Sequence, residues 1–423
     1  MEDLVISGMS GRLPQSDSVE EFARKLYDGI DLVTEDDERW PGGLHGLPRR
    51  LGKLKNLCNF DAAFFSVPPQ QANRMDAQIR KLLEVTHETL VDAGINPEEL
   101  RGSRTGVFVG ASFSDSEELW NQDLEKIVGY TQTGCCRAMF SNRISYSFDF
   151  RGPSMTINTG CSSTMVALAQ AVRAIRSGEC DAAVIAGANL YLRPHGSICF
   201  DRLGLLSPSG KCAAFDESAS GFVKSEAVVS ILIQKRSSAR RVYATVRGVS
   251  VNTDGYKTQG ITYPSGEMQR QLIKSAYKDA QLKSEDVAFV EAHGSGTKAG
   301  DFEEVTSITE VICKNRSSPL LIGSLKSNMG HAEVAAGLCS IIKVLLAMER
   351  NVIPANLHYV APNPEITSLH DGRIKMPYTP KIFQNTRIAD IDFLQTQLTN
   401  KYQLLVAKDI SDGRIVQPGC NSL

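Results

Sequence analysis

Short apolar runs that read as buried strands alternate with helical patterns along almost the whole chain. That rhythm points to an α/β protein built on a largely buried sheet. Residues 4–7 open the chain as a strand, and Ser18 stands where it would cap a helix over residues 19–27, with Glu21 at the capping-box position. A helix over about residues 76–93 is ended by Gly94. Residues 105–110, 154–158, 182–187 and 227–233 read as further strands, while residues 35–75, richer in Gly, Pro and charge, read as an elaborated loop region. After a charged break at 234–241 the alternation resumes. It runs through a strand at 242–251, a helix at 267–280, a strand at 287–291, a helix from near Asp301, a strand at 320–323 and a long helix after His331.

The two halves share this rhythm without a visible sequence repeat. In each, an apolar strand ends in a Gly-containing turn, a reactive residue appears, and a small-residue helix follows. Cys161 does this in the first half and His331 in the second. Duplicated halves sharing one site at strand ends would account for the pattern.

Composition removes several classes of function. A length of 423 residues suffices for two large domains or one duplicated architecture. A net charge of −2 gives no global electrostatic case for nucleic acid or an anionic membrane. The ten cysteines form no Cys-x-x-Cys pair, which speaks against a structural zinc site, and their scatter suits reduced thiols in a cytosolic protein. The N-terminus has neither a basic segment nor an apolar core, so no secretory signal is expected. The longest apolar stretch, residues 334–348, contains Ser340 and Lys343 and is too short to cross a bilayer; it reads as a buried helix.

Three motifs carry chemistry. The first is Ile157-Asn158-Thr159-Gly160-Cys161-Ser162-Ser163-Thr164, between a strand and a helix. A thiol in the first turn of a helix would feel the positive end of the macrodipole and nearby amide donors, both favouring the reactive thiolate. The plainer reading is a buried structural cysteine. The second motif is Val290-Glu291-Ala292-His293-Gly294-Ser295-Gly296-Thr297, with Gly300-Asp301 beyond, and the third is Lys326-Ser327-Asn328-Met329-Gly330-His331-Ala332-Glu333. Only seven histidines occur, and two of them leave strands into Gly-flanked turns. A Cys nucleophile needs neighbours that stabilise the charge it creates, and two imidazole N–H groups can donate jointly to an enolate or thioester oxygen. Gly294, Gly296 and Gly300 miss the dinucleotide fingerprint by one residue, and the acidic partner it requires is not evident. A papain-like protease also pairs Cys with His, but its local cysteine signature differs.

Together the three motifs resemble the β-ketoacyl synthase domain of the condensing enzymes, most closely that of animal-type multifunctional fatty acid synthases. Further matches lie at Phe60-Asp61-Ala62-Ala63-Phe64-Phe65, Gly134-Cys135-Cys136-Arg137-Ala138-Met139, Asn142-Arg143-Ile144-Ser145, Asp149-Phe150-Arg151-Gly152-Pro153-Ser154, Arg202-Leu203-Gly204-Leu205-Leu206-Ser207 and Cys212-Ala213-Ala214-Phe215-Asp216. The likeness covers about residues 2–376. It implies a thiolase-like fold of two similar α/β halves with buried mixed sheets in a layered α-β-α-β-α arrangement, and a homodimer. The halves would be residues 1–235, carrying the nucleophile, and 236–376, carrying both histidines.

The resemblance also implies roles. Cys161 would accept an acyl chain from the phosphopantetheine thiol of an acyl carrier protein or domain. His293 and His331 would hold the thioester carbonyl of a malonyl-carrier and stabilise the enolate formed as carbon dioxide leaves. Lys326 and Glu333 match positions that organise the site around His331; their plainer reading is a solvated ion pair. No directly bound cofactor, metal, nucleic acid or membrane partner is implied, and the setting is cytoplasmic.

Three departures stand out. Ser295 replaces the usual Thr, and Phe302 replaces the Pro that commonly follows Gly-Asp, though Asp301 could still cap its helix with Glu304 completing a capping box. The family also closes with a Gly-rich segment resembling Asn-Ser-Phe-Gly-x-Gly-Gly-x-Asn, and residues 377–423 hold only Gly413 and Gly419. This tail has no family match. The expectation is a truncated or alternatively terminated product that lacks one backbone oxyanion donor and leaves sheet edges of its second half uncovered. Two alternatives follow: a catalytically impaired dimerising fragment, and a polyketide synthase ketosynthase.

Overall fold

The protein is described here by a computed structural model that covers residues 2–283, 287–382, 394–395 and 400–407. Eleven strands form the two sheets that frame the site: β1 (Leu4–Arg12), β2 (Thr105–Gly110), β3 (Ser154–Ile157), β4 (Ala182–Asn189), β5 (Ala227–Lys235), β6 (Ala244–Thr253), β7 (Phe289–Glu291), β8 (Leu320–Gly323), β9 (Ile374–Lys375), β10 (Leu394–Gln395) and β11 (Asn400–Ala407). Their order is β10-β11-β6-β1-β5-β4-β2-β3 in the larger sheet and β9-β8-β7 in the smaller.

The layers follow from side chains that point alternately to the two faces of a strand. On one face of the larger sheet, Val107, Val109, Val184 and Leu232 pack with Leu82 and Leu83 of α1 (Ala77–Asp92) and with Phe140 and Ile144 of α2 (Met139–Phe148). On the other, Phe108, Ile185 and Ile231 pack with Met165 and Leu168 of α3 (Ser163–Ser177) and with Leu338 and Ile341 of α6 (Ala336–Arg350). Phe289 joins this shared core, while its neighbour Val290 turns the opposite way, toward Ile273 of α4 (Gly266–Ala280) and Ile308 of α5 (Lys298–Ile312). The result is the expected α-β-α-β-α stack.

The halves repeat one another. In the first, β2 and β3 are parallel, β4 joins β2 in parallel, and β5 and β1 then run antiparallel. In the second, β7 and β8 are parallel, β10 lies beside β7, and β11 runs antiparallel to β10 and to β6. Residues Leu4–Ile6 of β1 pair antiparallel with Ala244–Val246 of β6 and join the two halves in one sheet.

Two local expectations are revised. The outer edge of β6 is covered, because β11 pairs with it from Asn400 opposite Thr253 to Ala407 opposite Thr245. Backbone pairing needs an extended segment rather than a family-like sequence, so the tail can fill that edge despite its divergence. The rest of the tail, residues 383–393, 396–399 and 408–423, lies outside the described residues. Asp301 does not cap α5 either: the helix begins at Lys298 after Thr297, and Asp301 and Glu304 lie buried within it. By contrast, Ser18 caps the helix Val19–Tyr27 as expected, its hydroxyl accepting from the Glu21 N–H at 3.2 Å. Among the described residues no helix is long and apolar enough to cross a membrane.

Candidate active site

Cys161 follows β3. Its turn is built by small polar residues: Ser163 Oγ accepts from the Thr159 N–H at 2.9 Å, and Thr159 forms an isolated β-bridge with Cys161. Helix α3 starts at Ser163 with Ser162 as its cap, so Cys161 precedes the cap instead of lying in the first turn. That weakens the dipole argument, since the effect fades beyond the terminal turn. The residue keeps intermediate exposure, yet its surroundings push the thiol up to about 12. Burial is the largest cause and Glu333 adds to it, against the opposing pull of Lys326 and Lys224. Burial thus opposes the thiolate that a helix-start position was expected to favour.

His293 leaves β7 into a turn pinned by a buried carboxylate. Glu304 accepts from the His293 N–H at 2.8 Å and from the Gly294 N–H at 2.9 Å. Asp301 likewise accepts from the Phe215 N–H at 2.7 Å and the Gly296 N–H at 3.2 Å. These two side chains hold loop backbone across the helix. Two residues before His293, at the end of the strand, Glu291 pairs with Lys343 of α6 at 2.6 Å, both fully buried, and accepts from the Leu325 N–H at 2.6 Å. The segments bearing the two histidines are thereby tied to each other behind the site.

His331 follows β8 and a single turn at Lys326–Met329. Gly330 has φ 80° and ψ −175°, a conformation essentially restricted to glycine, and it carries the chain from that turn to the histidine. The His331 backbone is clamped from both sides, its N–H donating to Val223 O at 2.7 Å and its carbonyl accepting from the Ser225 N–H at 3.0 Å. The Glu333 N–H donates to Nδ1 of the His331 ring at 3.2 Å. A neutral ring that accepts at Nδ1 carries its proton on Nε2.

The two imidazoles meet edge to face, centroids 5.1 Å apart and planes at 83°, and Phe222 lies 5.0 Å from His331 on another side. Burial, reinforced by Lys326, drives both rings well below the ordinary histidine value, so both are neutral. Both ring nitrogens of His293 and Nζ of Lys326 are buried without a hydrogen-bond partner among the described residues. Buried polar atoms without a partner need an explanation, and a polar ligand would supply one.

Lys326 and Glu333 do not form the solvated pair that their spacing allowed. Both are buried, and Glu333 pairs with Lys224 at 2.7 Å. Burial lowers the affinity of Lys326 for its proton, which Glu291 and Glu304 oppose most strongly, and Cys161 lies in its field. Lys224 was not legible in the sequence, because a β-bridge between distant segments brings it to His331. The long helices α3 and α6, which follow Cys161 and His331, cross at Gly337. A Cβ there would meet Met165 Cγ at 2.6 Å and Thr164 Oγ1 at 2.9 Å, so glycine permits the close approach that draws the two helix starts together.

The family description "Beta-ketoacyl synthase, N-terminal domain" matches residues 1–239, and "Beta-ketoacyl synthase, C-terminal domain" matches residues 243–360. A fatty acid synthase from the goose Anser anser anser is 53% identical over 352 residues, covering 83% of this chain and 100% of that one. A partially reducing polyketide synthase of Talaromyces stipitatus is 36% identical over 397 residues, covering 89% of this chain and 16% of its own length. Among solved structures, a ketosynthase from module 6 of the Bacillus subtilis bacillaene synthase superposes with a TM-score of 0.89 at 29% identity, over 96% of this chain and 72% of that one. An oxazolomycin ketosynthase domain of Streptomyces albus does so with a TM-score of 0.90 at 31% identity, over 97% and 76%.

Proposed function

The chain belongs to the β-ketoacyl synthase family, as a condensing acyltransferase nearer to fatty acid synthase than to the polyketide synthase compared above, and on that premise we propose how its residues divide the work. Residues 1–235 supply the nucleophile Cys161, and residues 236–376 supply His293, His331 and the supporting Lys326. Substrates arrive as phosphopantetheine thioesters on an acyl carrier, and no cofactor takes part directly.

In the first half-reaction, Cys161 Sγ attacks the acyl carbonyl, the carrier's C–S bond breaks, and the thiol proton passes to the departing carrier sulfur. With the thiol pushed up to about 12, the proton leaves as the bond forms and not beforehand. In the second, the malonyl carboxylate leaves as carbon dioxide and its bonding pair becomes an enolate. The enolate oxygen accepts from His293 and from Nε2–H of His331, two neutral donors in a water-poor setting where such bonds are strong. The enolate carbon then attacks the acyl group on Cys161, the Cys161 C–S bond breaks, and the departing thiolate takes a proton from solvent water. The product is a 3-ketoacyl-carrier. The Lys326 ammonium lends positive potential to the forming enolate.

The observation that carries this reading is the crossed pair of neutral imidazoles, with Lys326, Lys224 and Glu333 acting on Cys161 as well. We further infer a homodimer acting in the cytoplasm, in keeping with nine free cysteines among the described residues. Purified protein incubated with a short acyl-thioester is expected to gain one acyl mass, and Cys161→Ala to gain none. A folded protein that takes up no acyl group would favour the impaired-fragment alternative instead.

A further inference from the structure

Lys224 occupies a position that the reaction as described leaves unexplained. It is 4% exposed, and its Nζ lies 2.7 Å from Glu333 Oε1, 3.5 Å from the Tyr191 hydroxyl, and over the rings of Phe200 and Tyr191 at 4.1 and 4.4 Å. Four groups on three segments therefore fix one ammonium. Aromatic faces and a carboxylate together make an ordered cation worth more than either contact alone would.

The backbone of the same residue pairs with His331 in a parallel β-bridge. Its side chain, two residues further along the partner turn, holds Glu333, whose φ of 37° lies in the left-handed region that residues other than glycine rarely enter. A residue held there needs neighbours that over-determine it. The restraint has a consequence for His331, because the Glu333 N–H is the group that donates to its Nδ1.

We propose that Lys224 is a positioning residue for the decarboxylation step: it locks the turn at Glu333 so that His331 Nδ1 accepts from the backbone and Nε2–H is left for the malonyl thioester carbonyl. The proposal rests on the condensing reading above. It separates the half-reactions, since acylation of Cys161 does not use that Nε2–H.

The pH dependence follows from the groups that face His331. These are Lys224 from the bridged segment, Lys326 and Glu333 from its own turn, and His293 from the β7 exit. Burial and then Lys326 and Lys224 hold His331 neutral. Removing the Lys224 charge lets the ring take a proton at higher pH, and the protonated ring loses the Nδ1 acceptor.

The test compares wild type, K224M and K224R in two assays: carbon dioxide release from malonyl-coenzyme A across pH, and acetyl transfer to Cys161 by mass. For K224M, carbon dioxide release should fall about tenfold or more, as expected when a catalytic donor is misplaced, while acetylation falls less than about threefold. Its acid limb should move to higher pH, and K224R should bring both rate and limb back toward wild type. Equal losses in both half-reactions, or an unmoved limb, would overturn the role. If K224M does not fold, E333Q carries the test: carbon dioxide release should fall, and its acid limb should move to lower pH because the Lys224 charge is no longer offset. An E333Q profile like wild type would then overturn the proposal. Wild type that releases no carbon dioxide would sink the condensing reading and this proposal with it, whereas an active wild type matched by K224M sinks the role of Lys224 alone.

Discussion

Asp301 shows how a residue with a plain local role in the sequence acquires another in the fold. Its spacing from Glu304 reads as a capping box, yet both carboxylates turn inward and hold loop backbone around His293, Phe215 and Gly296. Burial, with Glu304 adding, raises the Asp301 carboxyl to about 7 from an ordinary 3.8. The folded state thus binds this proton more tightly than the unfolded state does. Its contribution favours folding fully below about 3.8 and is lost as pH rises through about 7. Between pH 5 and pH 8, wild type should therefore lose more stability in urea unfolding than Asp301→Asn, whose amide has no proton to give up. Equal losses would show that Asp301 does not titrate in this range. Cys161, His293 and His331 were legible because small residues flank each of them in sequence. Lys224 was not, since nothing local distinguishes it from a surface lysine.

At the scale of elements, strand and helix order was readable from apolar periodicity, and β2, β3 and β8 fall within a residue of the expected bounds. β11 was not readable. Its mixed polarity matches no half-buried pattern, and its pairing is dictated by the edge that β6 offers. That pairing has a measurable cost of removal. A chain ended after Ile382 loses β10 and β11 and leaves β6 with unpaired backbone groups on its outer edge. Its melting midpoint should drop by about 5 °C or more, the shift that a few kcal/mol produces in a large domain, and it should aggregate more readily. An unchanged midpoint would mean that β11 adds nothing to the sheet.

For the whole molecule, β3 is the remaining outer strand of the larger sheet, and Met155 on it is 39% exposed. An edge of this kind invites pairing with another strand, and a second copy of the chain could supply it in two-fold symmetry. Light scattering should then give about twice the 46.2 kDa chain mass, and Met155→Lys should shift the protein toward monomer. A monomeric wild type would overturn the dimer. Cys161 and the histidines lie in the stretches matched by the N-terminal and C-terminal family models, and α3 and α6, the helices that follow Cys161 and His331, meet at Gly337. The site is in that sense a fit between two parts, with its tolerance set at the joint. Wear at the joint would pass for damage at the blade: a bulkier residue at 337 would present as a failing catalyst in an enzyme whose reactive groups are all intact.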